Sequence, residues 1–159
     1  MIPPIRVAAK AVVIDGGEIL LTRNLHPNDP DGEFFLLPGG GQHYGESLSE
    51  CVSREVLEET GYGVSVGDVL LVRDYIGANH EFAAYEPDVH QVEVMFSCSV
   101  DRSNPPAEPT ESDDWQLSVE WVRIEDLTGL RIFPKALAEL LVAVGRTGPP
   151  GACYLGDVN

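Results

Sequence analysis

The stretch from Leu37 to Tyr62, LPGGGQHYGESLSECVSREVLEETGY, constrains the fold more than any other part of the chain. Pro38 and the three glycines Gly39 to Gly41 read as a turn, because glycine tolerates dihedrals that side chains exclude and proline fixes its own. Ser47 followed three residues later by Glu50 is the capping-box pattern and predicts a helix opening there. The helix should run to about Thr60 and stop at Gly61, which suits the left-handed C-terminal position. Leu48, Cys51, Val52 and Val56 share one stripe at helical spacing and should pack inward. Glu55, Glu58 and Glu59, spaced i, i+3 and i+4, fall on much the same side.

Carboxylates so placed repel one another and lose hydration near a buried edge. A cation would offset both costs. Oxygen donors converging from one helix suit a hard divalent ion such as magnesium. The alternative is a solvated acidic face, since glutamate favours helices and the whole chain is acidic. The glycine turn ahead of the helix favours the first reading.

The same stretch resembles the Nudix box. Gly40, Glu46, Arg54, Glu55, Val56, Glu58, Glu59, Gly61 and Tyr62 stand at its defined positions, and only Tyr62 departs, being aromatic where the family usually has an aliphatic residue. A pattern this long is far more specific than a lone glycine-rich hexamer. The resemblance implies an α+β fold of the Nudix type, an α/β/α sandwich with a mixed curved sheet between helices. It would occupy residues 1–146, with 147–159 as a C-terminal tail. It also implies magnesium or manganese held by Glu55, Glu58, Glu59 and a backbone oxygen near Gly40. Glu58 assists or acts as base, and which glutamate takes the proton varies between relatives. Arg54 would pair with a box carboxylate such as Glu46 and hold the geometry. Gly39 and Gly40 would meet the substrate phosphates. An acidic residue from a later strand joins the metal site in some relatives, and Glu93 is the candidate here. Others place a catalytic glutamate in a late loop, where Glu108 and Glu111 stand.

Composition narrows the partners. A length of 159 residues suits one domain with a real core. A formal charge of −16 with only ten Lys and Arg argues against binding long nucleic acid through its phosphates. It leaves room for a small phosphorylated substrate whose charge is met locally by metal ions. Cys51, Cys98 and Cys153 form no disulfide or zinc pattern, which fits a reducing cytoplasm. The opening IPPIRVAAK has no sustained apolar run, so neither a signal peptide nor a membrane span is expected.

Around the box, residues 6 to 14 and 18 to 22 should form a hairpin about Asp15-Gly16-Gly17. Arg23 ends the second strand and either reaches a phosphate or lies on the surface with its stem packed. Phe34 to Leu37 is a short strand, with Phe35 either packing in the core, the favoured reading, or lining a base pocket. His43 lies in the loop beside the phosphate region. A strand or strand pair from Val64 to Ile76 leads to a long polar segment, within which Phe82 and Tyr85 stack on a base or tether the loop. His90 to Val100 alternates as a central strand, placing Glu93 beside Met95 on its own face. Ser118 to Ile124 is expected as the last strand and Pro134 to Val144 as the last helix, packing through Leu137, Leu140, Leu141 and Val144. The tail would be disordered or lie across a surface, such as a partner subunit's, through Tyr154 and Leu155.

The expected reaction is hydrolysis of a pyrophosphate bond in a nucleoside tri- or diphosphate derivative by metal-activated water, in a monomer or homodimer. The alternatives are an ADP-ribose or nucleotide-sugar pyrophosphatase, or a non-catalytic nucleotide-binding protein of the same fold.

Overall fold

A computed structural model of the chain describes residues 1–147 and 151–159. The first strand, β1 (Arg6–Asp15), turns through Gly16-Gly17 into β2 (Glu18–Asn24), pairing Ile14 with Ile19 and Asp15 with Glu18. The short β3 (Phe34–Leu36) and β4 (Gly39–Gly41) precede α1 (Leu48–Thr60). Then come β5 (Ser65–Ile76), β6 (His90–Ser99), β7 (Gln116–Arg123) and β8 (Ile132–Phe133). The helix α2 (Leu137–Thr147) and the strand β9 (Cys153–Asp157) complete the described chain.

Among the described residues nine strands form one mixed sheet, ordered β8-β3-β2-β1-β6-β5-β9, with β4 on β1 and β7 on β2. Strand alternation sends side chains to opposite faces, and each face carries its own core. Ala9, Ala11, Val13, Leu20, Phe96 and Cys98 pack with Cys51, Val52 and Val56 of α1. Val12, Ile19, Leu21, Leu71 and Met95 pack with Leu137 and Leu141 of α2. This is the expected α/β/α sandwich. Phe35 packs against the second core, and Tyr62 sits edge-on to Trp121 at 5.9 Å beside the first.

Two local expectations change, and a third is narrowed. Gly39 to Gly41 do not form a turn but a strand, antiparallel to β1 through Ala8↔Gly41, Ala9↔Gly40 and Lys10↔Gly39. The strand ending near Ile124 is not the last, because β8 and β9 follow it. Of the two readings of the tail, its described end follows the second and lies across a surface, that of this chain's own sheet. Cys153–Asp157 pairs parallel with β5, and Tyr154 meets Asp74 through its hydroxyl. Residues 148–150 of the expected tail lie outside the described residues.

The end of α1 is closed by a distant loop. Gly61 takes the left-handed conformation (φ 77°) and its N–H donates to Leu57 O. Ala107 N–H then donates to Gly61 O at 3.0 Å, and the N–H groups of Thr110 and Glu111 donate to Glu58 O at 2.9 and 3.1 Å. Gln116 Nε2 donates to Glu59 O at 2.9 Å. These bonds satisfy helix-end carbonyls that have no partner within the helix. The acidic segment 101–116 is therefore anchored by its backbone while Glu108 and Glu111 stay exposed. A Cβ at Gly61 would run into the Ala107 carbonyl. Gly61→Ala is expected to cost at least about 1–2 kcal/mol from the backbone conformation alone. It should also open segment 101–116 to limited proteolysis, and an unchanged denaturation midpoint would contradict this account.

Candidate active site

Arg54 is the hub of the box. Its Nε donates to Glu46 Oε2 at 3.0 Å and its Nη2 to Glu46 Oε1 at 2.7 Å, a bidentate pair. Nη1 donates to Glu55 Oε1 at 2.8 Å and to Glu58 Oε2 at 3.1 Å. Nη2 also reaches the Gly41 carbonyl at 3.0 Å, tying the helix to β4. The Glu46 carboxyl is held down to a pKa of about 2, first by Arg54 and then by the His43 N–H. These partners in turn push the Arg54 pKa well above its ordinary value against the opposing effect of burial. One guanidinium facing three carboxylates still leaves the cluster anionic.

Glu59 lies apart from that hub and is only 4% exposed. The Gly39 N–H donates to its Oε2 at 2.9 Å. Burial pushes the Glu59 pKa up to about 7; Lys10 and the Gly39 N–H pull it down, and Asp113 and Glu55 add to the rise. Lys10 Nζ donates to the Gly39 carbonyl at 2.8 Å, so the same residue is gripped by a cation on one side and a carboxylate on the other. Sequence reasoning missed Lys10. Its only signal was a lysine inside the apolar strand pattern VAAKAVV. Gly40 admits no side chain, since a Cβ there would sit 2.6 Å from the Glu55 carboxyl. The absence of that Cβ lets the Glu55 carboxylate lie directly over the strand.

A cavity of about 930 Å³ opens beside these groups. Gly39, Gly40, His43, Glu55, Phe82 and Glu93 all line it, together with Lys10 and Arg73. Phe82 packs in an aromatic wall with Phe34 at 5.5 Å and Phe133 at 5.1 Å. Arg23 and Tyr85 are not on the cavity wall. Arg23 is turned to Ser118, Glu33 and Glu120. Tyr85 holds its loop in place, donating to Asn28 O at 2.7 Å with its ring 4.3 Å from His26.

Glu93 is buried and bonded to Arg73 Nε at 2.6 Å and Gln91 Nε2 at 2.9 Å. Burial alone would raise its pKa, but Arg73 and Lys10 bring it below the ordinary carboxylate value.

Among the described residues, no three His, Cys, Asp or Glu side chains are preassembled as a cation cluster. Arg54 occupies oxygens of Glu55 and Glu58. The donor set nevertheless fits a hard divalent ion, with carboxylate and carbonyl oxygens around a glycine strand and a buried carboxyl short of positive charge.

A family model described as the NUDIX domain matches residues 4–141. The chain belongs to the Nudix family. A curated Caenorhabditis elegans protein named for the same family is 26% identical over 132 residues; the match covers 80% of this chain and 32% of that protein. The chain thus spans about a third of that relative's length. Among solved structures, a NUDIX hydrolase from Nitrosomonas europaea superposes with a TM-score of 0.71 at 19% identity, over 93% of each chain. A MutT NUDIX hydrolase from Burkholderia pseudomallei gives 0.67 at 24% identity, over 88% of this chain and 99% of that one. An ADP-ribose pyrophosphatase from Streptococcus suis gives 0.61 at 19% identity, over 97% and 98%. At these identities the likeness is one of fold.

The Nudix box glutamates carry opposite pH signatures. Glu59 has its folded-state pKa raised, so between about 4.5 and 7 the native chain holds a proton that the unfolded chain has lost. Its contribution to stability is present below that window and is lost as pH rises through 7. Glu46, whose pKa is lowered, contributes above 4.5 and loses that contribution as pH falls toward 2. Metal-free Glu59→Gln should therefore be more stable than the parent at pH 8, on the order of 1–3 kcal/mol, with the gap closing near pH 5. Denaturant unfolding at both pH values in chelator measures this; equal or lower stability of the variant at pH 8 would contradict it.

Proposed function

We propose that this chain is a metal-dependent pyrophosphohydrolase that acts on a nucleoside tri- or diphosphate derivative. The observation that carries the reading is the meeting of Glu55 and Glu58 on Arg54, with buried Glu59 behind Gly39, beside a cavity of about 930 Å³. Glu55, Glu58, Glu59 and the Gly40 carbonyl are the groups that would hold magnesium or manganese. Such an ion neutralises pyrophosphate oxygens and makes a neighbouring water more acidic.

The chain's own residues supply the rest. Arg54 holds the helix carboxylates and β4 in one arrangement, so little reorganisation remains when substrate arrives. Lys10 adds a positive charge beside the glycine strand, and His43 lines the same side of the cavity. Glu58, more exposed than Glu59, is the carboxylate better placed to take a proton from a solvent-derived nucleophile. Glu93 assists through Arg73 on the cavity floor. Phe82 and its aromatic neighbours offer a face for a nucleobase. The cavity is large enough for ADP-ribose or a nucleotide sugar, and the S. suis relative of the same fold is named as an ADP-ribose pyrophosphatase, so these form the second substrate class to test.

A strongly acidic chain favours a small substrate over long nucleic acid. No helix among the described residues is long and apolar enough to cross a membrane. We place the protein in the cytoplasm as a monomer or homodimer.

Purified protein should hydrolyse at least one member of a panel of nucleoside triphosphates, ADP-ribose, dinucleoside polyphosphates and nucleotide sugars when magnesium or manganese is present. Glu59→Gln should lower turnover on the best substrate by about 100-fold or more, the scale typical of losing one charge-stabilising group. Unchanged turnover in the variant would remove Glu59 from the site. No turnover on any panel member would favour a binding protein of the same fold.

A further inference from the structure

Alternation along β1 puts Arg6, Ala8 and Lys10 on one face of the sheet, the face that carries Glu93 beside Ala8 and Met95 beside Lys10. β4 presents Gly39 and Gly41 to the same face from the other edge of β1, because Gly41 pairs with Ala8 and Gly39 with Lys10. Arg6, Lys10, Gly39 and Gly41 all line the cavity. Gly41 has no Cβ, and one placed there would lie 3.1 Å from Arg6 Nη2. The guanidinium therefore lies over one end of the glycine strand, while Lys10 reaches the Gly39 carbonyl at the other. Gly39 and Gly41 are two strand positions apart, so the two cations address points roughly 7 Å apart on either side of Gly40.

Most guanidinium groups of this chain are already committed. Arg23, Arg102, Arg123 and Arg131 pair with carboxylates outside the box, and Arg54 and Arg73 do so within the site. Among the described residues the Arg6 side chain has no hydrogen-bond or ion-pair partner. With 26 acidic residues in the chain, a cavity cation that meets none of them stands where the fold supplies no carboxylate. Arg6 is exposed, so an incoming group can reach it without breaking an existing bond.

We propose that Arg6 is a substrate-binding residue that takes a terminal phosphate, and so selects an open nucleoside triphosphate over a diphosphate capped by a sugar. A terminal phosphate monoester carries roughly −1.5 to −2 near neutral pH and offers its oxygens to the guanidinium fork. A phosphate bridged to a sugar has given up one of those oxygens, and with it the second charge. Glu86, Asp113 and Asp114 elsewhere on the wall disfavour a phosphate near them, which leaves the Gly41 end for it. The box carboxylates and Lys10 serve the pyrophosphate at the glycine strand, and Arg6 remains for the charge beyond it. Arg6 lies outside the box, on β1, so the motif does not specify it.

This proposal rests on the nucleotide reading of the site for the identity of the ligand. The test pairs compounds of one base: ATP with ADP-ribose, GTP with GDP-mannose, UTP with UDP-glucose and CTP with CDP-glucose. The parent protein, Arg6→Gln and Arg6→Lys are compared in magnesium. The readout is kcat/KM where a compound is hydrolysed and calorimetric affinity where it is not. For at least one base the parent should favour the triphosphate, and Arg6→Gln should lose about tenfold on it, chiefly in KM, with the capped compound unchanged. Arg6→Lys, which keeps the charge without the fork, should retain part of the preference. A parent that favours the capped compounds, or equal effects of Arg6→Gln on both members of a pair, would overturn the assignment. Triphosphate-selective binding that Arg6→Gln removes, with no compound hydrolysed, would refute the catalytic reading and leave this one standing. Turnover of capped compounds that is indifferent to Arg6→Gln, with no triphosphate preferred, would do the reverse. Neither turnover nor binding of any compound would overturn both.

Discussion

The hydrogen bonds of one guanidinium organise this site. Arg54 joins Glu46 from the loop, Glu55 and Glu58 from α1, and the Gly41 carbonyl from β4. Without that cation, the carboxylates on one helical face would repel one another and face an adjoining strand that lacks side chains. The glycine strand depends on the same arrangement, because Gly40 has no Cβ where the Glu55 carboxyl lies. Glu59 is the member Arg54 does not reach. It is buried on weaker compensation, a single backbone N–H and the nearby Lys10, and its raised pKa expresses that deficit.

The box helix was legible because its signals are local. Ser47 accepts from Glu50 N–H, and the Glu50 carboxylate accepts from Ser47 N–H, as the four-residue pattern foretold. Gly61 ends the helix in the left-handed conformation for the same local reason. The alternation in β6 likewise put Glu93 beside Met95 on one face, and the structure packs Met95 with α2. What was not legible depends on pairing between distant parts of the chain. Three consecutive glycines have no strand propensity, and only β1 alongside makes Gly39–Gly41 a strand. β9 is a five-residue strand whose parallel partner, β5, lies some eighty positions earlier, so no turn signal announces it. Nothing local singled out Lys10, whose role depends on β4 bringing the Gly39 carbonyl within its reach. Arg23 was plausible as a phosphate ligand by its place at a strand end. Three polar partners elsewhere, Ser118, Glu33 and Glu120, draw it away from the cavity.

The two ends of the cavity thus draw on different parts of the chain. One is built from the contiguous box and β4, which bring together carboxylates, a glycine strand and Lys10. The other is assembled from β5, β6, the aromatic wall and the segment after β9, and its polar groups are arranged around Arg73. A family motif describes the first end and is silent on the second, because the second is made by contacts that no short stretch contains.

The central claim is that the box carboxylates form a divalent-cation site whose geometry Arg54 and the glycine strand maintain. Manganese binding followed by electron paramagnetic resonance, without substrate, tests it most directly. The account predicts saturable binding to the parent protein, weakened at least tenfold in both Glu55→Gln and Glu59→Gln. Binding unchanged in both variants would contradict it.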